Sequence, residues 1–422
     1  MLAAIHLETN HGTYVLDSVP GETVESVLRR HGVPVTAVFS YVVERHHHGP
    51  SARQVRFVPI GTRVDDSSVE DQTVCLRVTR NIDLPGLMRF GATQQRAVPH
   101  PSTEWTFPDP ERGAFAPTRA QLAPDECLDL VRASVVEVLN AWPPNLPRRL
   151  VVGTSGGGDS NALLSAVVDC GKFDPEELFP VMMLGIPDWD TQVENARHLC
   201  ASLGLSLRVV DAGAAARYAG VRSLTDLRAG FVEAFPDADL EFLGTWLLRK
   251  VLGRCAAEVD ARAVAIGANR EDVLAEAFAR IAIGVLPLPV PFRPIGETTF
   301  VYPMYRIPKK IGDGAFPTFS VENYEARAPS HSGGRTVFYY AAYLLSDALP
   351  GMDVTLLDGL LQVAQRHRVA DPFERDANLD DLVLRGAAGS DVAARWHDFL
   401  AAHRVPATSG SDSGADSGDA VR

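Results

Sequence analysis

Residues 149–160 read RLVVGTSGGGDS, and this stretch decides the fold. An apolar run, RLVVG, has the length of a buried strand. It stops at Thr154-Ser155-Gly156-Gly157-Gly158-Asp159-Ser160, and a helical pattern begins at Ser160. A strand that ends in a glycine-rich turn and opens a helix presents free backbone N–H groups at the positive end of the helix dipole, which together suit a phosphate. Glycine is required where a Cβ would keep the backbone from the anion. No Gly-Lys-Ser/Thr follows, so the turn is not a Walker A loop, and it lacks the G-x-G-x-x-G spacing of dinucleotide folds.

The surrounding sequence alternates in the same way. After a helical pattern from Asp125, apolar runs (RLVVGT, FPVMMLGI, LSLRVVDA, AVAIGAN) are separated by amphipathic segments, including Thr191 to Ser202 and Leu240 to Val259. That alternation predicts a doubly wound parallel α/β sheet over residues 121–316. A second strand–glycine–helix unit, AVAIGANREDVLAEAFARIAIG, places Gly267, Asn269, Glu271 and Asp272 at a strand's carboxyl edge, where open α/β sheets bind ligands.

Residues 1–83 carry alternating strands around one short helix, in the order ββαββ(β). Residues 84–120 are rich in Pro, Gly and polar residues and read as a linker. Residues 317–404 read as mostly helical, and 405–422 as a low-complexity, disordered tail. His46, His47 and His48 read as a solvated loop rather than a metal site, because sequence neighbours seldom converge on one ion.

Composition narrows the classes. The chain has 422 residues, 46% hydrophobic and 22% charged, which excludes a disordered chain or a small disulfide scaffold. Lys+Arg 40 against Asp+Glu 53 gives a net charge of −13, so nucleic-acid binding would need a local basic patch. Five scattered cysteines without a CxxC pair fit a reducing compartment, and no run is long and apolar enough for a membrane span. A cytoplasmic protein without membrane contact is expected.

SGGGDS matches the SGGxDS signature of the PP-loop, or N-type, ATP pyrophosphatases. The chain resembles that superfamily, and within it the branch of the tRNA 2-thiocytidine and 2-thiouridine synthetases and the lysidine synthetases. The second segment is similar to that branch's GHxxDD motif, with Gly267, Ala268, Asn269, Glu271 and Asp272 at the matching positions. FRPI, FVYPMYRIPKKI and LSDALPGMDVTLLDG look like its later stretches, so the likeness runs with gaps from Arg148 to Leu361. The strand order of residues 1–83 resembles a ubiquitin-like β-grasp domain. It lacks the terminal Gly-Gly of a sulfur carrier, so a docking role is expected, for the acceptor or for a protein partner.

The resemblance implies a Rossmann-like sheet of the adenine nucleotide alpha hydrolase type, ATP and Mg²⁺ as cofactors, and AMP and pyrophosphate as products. Thr154 to Ser160, Gly267 and Asn269 would hold ATP. Asp159 and Asp272 would be the catalytic carboxylates, with Mg²⁺ at Asp272. Arg280, Arg293, Lys309 and Lys310 are possible phosphate or substrate contacts. Asp159 is expected in an exposed loop, and residues 1–83 are expected to fold apart from the ATP site.

Thiolating members carry a CxxC before the GHxxDD strand. Here Phe242 and Thr245 occupy those positions, so no iron–sulfur cluster is expected. Three functions remain open: adenylation of an unidentified acceptor followed by displacement with a nucleophile such as an amine, tRNA thiolation with an external sulfur carrier, and a non-catalytic nucleotide-binding protein. The acceptor, whether a small molecule or tRNA, and the oligomeric state are not fixed by the sequence.

Overall fold

The computed structural model describes residues 5–9, 12–45, 53–66, 73–78, 103–109, 116–185, 190–236, 238, 240–317, 319–320, 333–367, 373–376, 381–384 and 391–405. His46, His47, His48 and the tail from residue 406 lie outside the described residues.

Alternating apolar residues bury Ile5, Leu7, Tyr14 and Leu16 on one face of strands β1 (Ile5–Thr9) and β2 (Gly12–Leu16). Helix α1 (Val24–Arg30) follows, its first turn capped by Thr23, whose hydroxyl oxygen accepts from the Ser26 N–H at 3.1 Å. Strands β3 (Val38–Arg45), β4 (Arg53–Phe57) and β5 (Val74–Val78) complete a sheet in the order β2-β1-β5-β3-β4. Its central pair, β1 and β5, is parallel and the other pairs are antiparallel.

The stretch expected as a linker carries a hairpin instead, β6 (Thr103–Asp109) and β7 (Ala116–Leu122). Trp105, 6% exposed, sinks from it into the main core, which outweighs the unfavourable Pro108 and Pro117 facing each other across the ladder. Helix α2 (Pro124–Asn140) starts with proline, and the Glu126 carboxylate accepts from the Ala123 N–H at 2.7 Å.

The α/β unit then runs β8 (Leu150–Gly153), α3 (Gly158–Asp169), β9 (Leu178–Met183), α4 (Val193–Ser202), β10 (Arg208–Val210), α5 (Ala212–Ala219), α6 (Leu224–Ala234), α7 (Leu240–Glu258), β11 (Ala263–Ala265), α8 (Arg270–Ala282), β12 (Phe292–Ile295), β13 (Thr298–Val301) and α9 (Lys309–Ala315). Strand order is β10-β9-β8-β11-β13-β12, all parallel except the β12–β13 pair. Leu150, Val151, Val152, Ala263, Val264 and Ala265 are fully buried, as strands covered on both faces must be. From β8 the chain winds outward to β10, then crosses back to β11 on the other side of β8. The order therefore reverses between β8 and β11, and a crevice opens at their carboxyl ends.

Helices α10 (Gly333–Ala348), α11 (Met352–Arg366) and α12 (Asp391–His403) follow, with a short hairpin, β14 (Phe373–Asp376) and β15 (Asp381–Leu384), interrupting the expected helical region. The N-terminal sheet does not stand apart from the rest. Tyr339 and Tyr343 of α10 and Ala275 of α8 belong to its hydrophobic core. Among the described residues no helix is long and apolar enough to cross a membrane.

Candidate active site

The turn after β8 is locked by its own side chains. The Ser160 hydroxyl donates to the Gly157 carbonyl at 3.0 Å and accepts from the Ser155 N–H at 3.1 Å. The Asn161 amide donates to the Gly156 carbonyl at 3.3 Å. Gly156 has φ +78, and a Cβ there would stand 2.4 Å from the Gln192 carbonyl oxygen. A side chain is thus excluded by backbone conformation and by space together. Helix α3 begins with Gly157 at its cap and no side-chain cap. Asp159 and Ser160, which could have capped it, are engaged elsewhere. The first-turn N–H groups of α3 have no intrahelical partners, as at any helix start, and Asp159 and Ser160 of that turn line the crevice.

The turn after β11 meets it from the neighbouring strand. A Cβ on Gly267 would lie 3.3 Å from the Asp159 carbonyl, so the two loops touch. Asn269 caps α8 in a reciprocal box: its side chain accepts from the Asp272 N–H at 3.1 Å, and the Asp272 carboxylate accepts from the Asn269 N–H at 2.9 Å. The other Asp272 oxygen accepts from the Tyr339 hydroxyl at 2.7 Å.

Helix α9 supplies the cation. The Lys309 ammonium donates to Asp159 and, at 2.9 Å, to Asp313. The Lys309 N–H donates to Glu271 Oε2 at 2.8 Å. Asp159, expected in an exposed loop, keeps only 19% of its side-chain exposure. Burial pushes its carboxyl up to about 7, against the attraction of Lys309 and with the repulsion of Asp313 and Asp272 adding. Burial pushes Glu271 up to about 7 as well. Asp159 Oδ1, Asn161 Oδ1 and Glu271 Oε1 are buried without a hydrogen-bond partner.

A cavity of about 260 Å³ lies at this meeting point. Thr154, Ser155, Asp159, Ser160, Gly267, Asn269, Asp272 and Lys309 line its polar side, and Val181, Met183, Leu248 and Ile266 contribute an apolar wall. Thr245, Tyr339 and Tyr343 close it. Gly156, Gly157 and Gly158 form the turn between Ser155 and Asp159 and are not among its lining residues. Three of the sequence candidates lie elsewhere. Arg293, 2% exposed, makes a bidentate pair with Glu276 (3.1 and 2.6 Å) and stacks 4.5 Å from the Tyr302 ring centroid. Arg280 donates to the Leu286 carbonyl, and Lys310 sits 5.3 Å from the Phe39 ring.

Asp313, Glu271's contact with Lys309, and Tyr339 were not legible as site features. Asp313 had one signal, its i+4 spacing from Lys309 on a helix. Tyr339 had none.

No cysteine lines the cavity. Burial pushes the Cys75 thiol up to about 12 and those of Cys127, Cys200 and Cys255 up to about 11. Phe242 is 58% exposed, while Thr245 faces the cavity. Among the described residues no cluster of three or more His, Cys, Asp or Glu side chains could hold a metal ion. The site does fit a Mg²⁺ that arrives with nucleotide, because Mg²⁺ takes one or two carboxylates and draws the rest from phosphate oxygens and water. The carboxylates beside the cavity are Asp159, whose buried Oδ1 has no hydrogen-bond partner, and Asp272, whose two oxygens each accept one hydrogen bond and keep a second lone pair.

No family model and no curated protein matches the chain. Among solved structures, it is similar to the U34-tRNA thiolase NcsA from Methanococcus maripaludis, determined with its 4Fe-4S cluster, at 16% identity over 58% of this chain and 82% of that one, with a TM-score of 0.43. It is also similar to the NMN synthetase from Francisella tularensis at 14% identity over 58% and 96%, TM-score 0.33. A third is the NH3-dependent NAD synthetase from Campylobacter jejuni at 16% identity over 58% and 95%, TM-score 0.29. The reading of the chemistry rests on the site's own residues.

Proposed function

We propose that the chain is an ATP-dependent, AMP-forming enzyme of the PP-loop type that adenylates an acceptor and then lets a nucleophile displace AMP. The observation that carries this reading is the uncapped, glycine-turned N-terminus of α3 at the β8–β11 switch point, beside a buried Asp159–Lys309–Asp313 group. The N–H groups of the turn would hold the pyrophosphate end of ATP, and Lys309 would stand beside the phosphates. An oxygen of the acceptor attacks the α-phosphorus, the bond to the β-phosphate oxygen breaks, and pyrophosphate leaves. The nucleophile then attacks the activated carbon, and AMP departs with the oxygen. Asp159 and Asp272 would hold Mg²⁺, whose charge would offset that developing on the leaving pyrophosphate.

The cysteines support a nucleophile other than a thiolate of this chain, since none lines the cavity. We therefore propose a site that works without an iron–sulfur cluster. Among the described cavity-lining residues Lys309 is the one basic side chain, and with the net charge of −13 this favours a small acceptor over a polyanionic RNA. The sheet order β2-β1-β5-β3-β4 with its parallel central pair supports reading the N-terminal unit as a β-grasp fold.

The test is product analysis with Mg-ATP and the small-molecule fraction of a cell extract. AMP and pyrophosphate, released together and only with the extract, are expected. ADP and phosphate as the products would overturn the reading.

A further inference from the structure

We propose that Tyr339 is a positioning residue that ties the N-terminal unit to the Asp272 carboxylate, making that unit a working part of a cavity that none of its described residues lines. The proposal rests on the reading of the cavity as an ATP site.

A carboxylate on a short side chain can rotate about its last bond, so a fixed orientation needs a hold on each oxygen. Asp272 has both. Its Oδ2 accepts from the Asn269 N–H at 2.9 Å, within its own helix cap. Its Oδ1 accepts from the Tyr339 hydroxyl at 2.7 Å, from a helix 67 residues further along the chain. The first hold is local and survives wherever α8 forms. The second depends on where α10 sits.

The N-terminal unit sets that position. Tyr339 and Tyr343, 2% and 1% exposed, line the cavity and are also part of the N-terminal core. The Thr36 hydroxyl donates to the Tyr343 carbonyl at 2.9 Å in a buried contact. The Tyr340 hydroxyl donates to the Gly32 carbonyl at 2.8 Å, and Arg29 pairs with Asp347 at 3.0 Å. Residues 340, 343 and 347 are spaced three and four apart, so these contacts fall along one helical face. The same unit touches the other side of the site, where the Phe39 ring lies against Lys310, the neighbour of Lys309. Asp272 is thus one contact from a residue that the N-terminal unit holds, and Asp159 is bonded to Lys309, the chain neighbour of a residue that the unit touches.

Three full-length variants test this: Tyr339→Phe, which removes only the hydroxyl, and Thr36→Val and Tyr340→Phe, which loosen α10 from the far side. Amide exchange at Asn269, whose N–H rests on Asp272, reads the hold without any chemistry. Loss of one net hydrogen bond predicts about tenfold faster exchange in Tyr339→Phe. A smaller acceleration is expected in each of the other two. Pyrophosphate release should fall about 10–100-fold in Tyr339→Phe, as for other orienting partners, with Mg-ATP affinity by calorimetry within twofold of the parent. Unchanged exchange at Asn269 in Tyr339→Phe would overturn the proposal, as would a loss of ATP affinity equal to the loss of turnover. No acceleration in either Thr36→Val or Tyr340→Phe would overturn the part assigned to the N-terminal unit; if Thr36→Val does not fold, Tyr340→Phe decides. A parent protein that released no pyrophosphate would defeat the ATP reading, and the exchange data would still decide the tie.

Discussion

Lys309 lies 150 residues beyond Asp159, yet its ammonium sits between the Asp159 and Asp313 carboxylates. With both acids ionised, one cation between them leaves the group with a net negative charge, which a bound Mg²⁺ would offset. It also gives each member a different part in stability. Losing one acid leaves a balanced pair, whereas losing the lysine strands two like charges in a partly dry pocket.

Asp159→Asn should therefore fold with a melting temperature close to the parent, because Lys309 keeps Asp313. Pyrophosphate release should fall about 10²–10⁴-fold, the range for removal of a group acting on the reacting atoms. Lys309→Met should cost several kcal/mol of stability, about 3–5 for an unpaired buried charge. Calorimetric melting with a turnover assay separates the two. Equal destabilisation by both substitutions would contradict this charge arrangement.

The pH dependence of folding should carry the mark of Glu271. Its ordinary value is 4.5, and burial pushes it up to about 7 in the fold. Between those values the folded chain holds a proton that the unfolded chain has lost, so stability falls as pH rises through that interval and levels off above it. Asp159 acts in the same direction. Melting temperatures measured from pH 5 to 8 should decline in the parent and decline less in Glu271→Gln. Superimposable slopes would remove Glu271 as a cause.

Gly156 should tolerate no side chain. A residue with φ near +78 costs about 1–2 kcal/mol for any L-amino acid with a Cβ, and contact 2.4 Å from the Gln192 carbonyl adds a clash of about 1–3 kcal/mol. Gly171, φ +61 with nothing within 4 Å of a built Cβ, pays only the first cost. Urea denaturation of Gly156→Ala and Gly171→Ala should differ by the clash alone, and only the former should weaken ATP binding. Equal losses would mean that the turn after β8 is free to widen.

How much of this was legible follows from range. The turn at 154–160 and the cap at 267–272 are local patterns, each a strand, a glycine and a helix start within a dozen residues, and both fold as the strand–turn–helix units that their sequence predicts. The pairing of Lys309 with Asp159 is a tertiary fact carried by no spacing. The hairpin at 103–122 is hidden for another reason: Pro108 and Pro117 give the stretch a linker's composition, while Trp105 and Phe107, two apart on one strand face, carry the strand signal. The tyrosines of α10 look like ordinary core residues in sequence, and only the sheet packed behind them shows what they join.

Arg293 should prove a structural residue. It is 2% exposed, and its partner Glu276 keeps 32% of its side-chain exposure, so water can partly compensate when the pair is broken. Arg293→Met should cost roughly 2–3 kcal/mol, less than a wholly buried pair. The folded variant should bind Mg-ATP as the parent does, because Arg293 does not line the cavity. A large loss of affinity without loss of stability would make it a phosphate contact after all.

The thiols should be bystanders. Thiolate is the reactive form, and a thiol at about 11 is ionised to roughly one part in three thousand at pH 7.5. Burial holds Cys127, Cys200 and Cys255 there, pushes Cys75 further to about 12, and keeps all four from reagents. Cys170, the half-buried one, donates to the Val167 carbonyl at 3.0 Å at the end of α3, one helix length from the turn. A disulfide reagent on the native protein should therefore label Cys170 first and leave pyrophosphate release intact, while full labelling should require unfolding. Iron assayed on protein purified without oxygen should be substoichiometric. Inactivation that tracks modification of Cys200 or Cys255, or stoichiometric iron, would bring sulfur chemistry back into the site and displace the adenylation-with-amine reading.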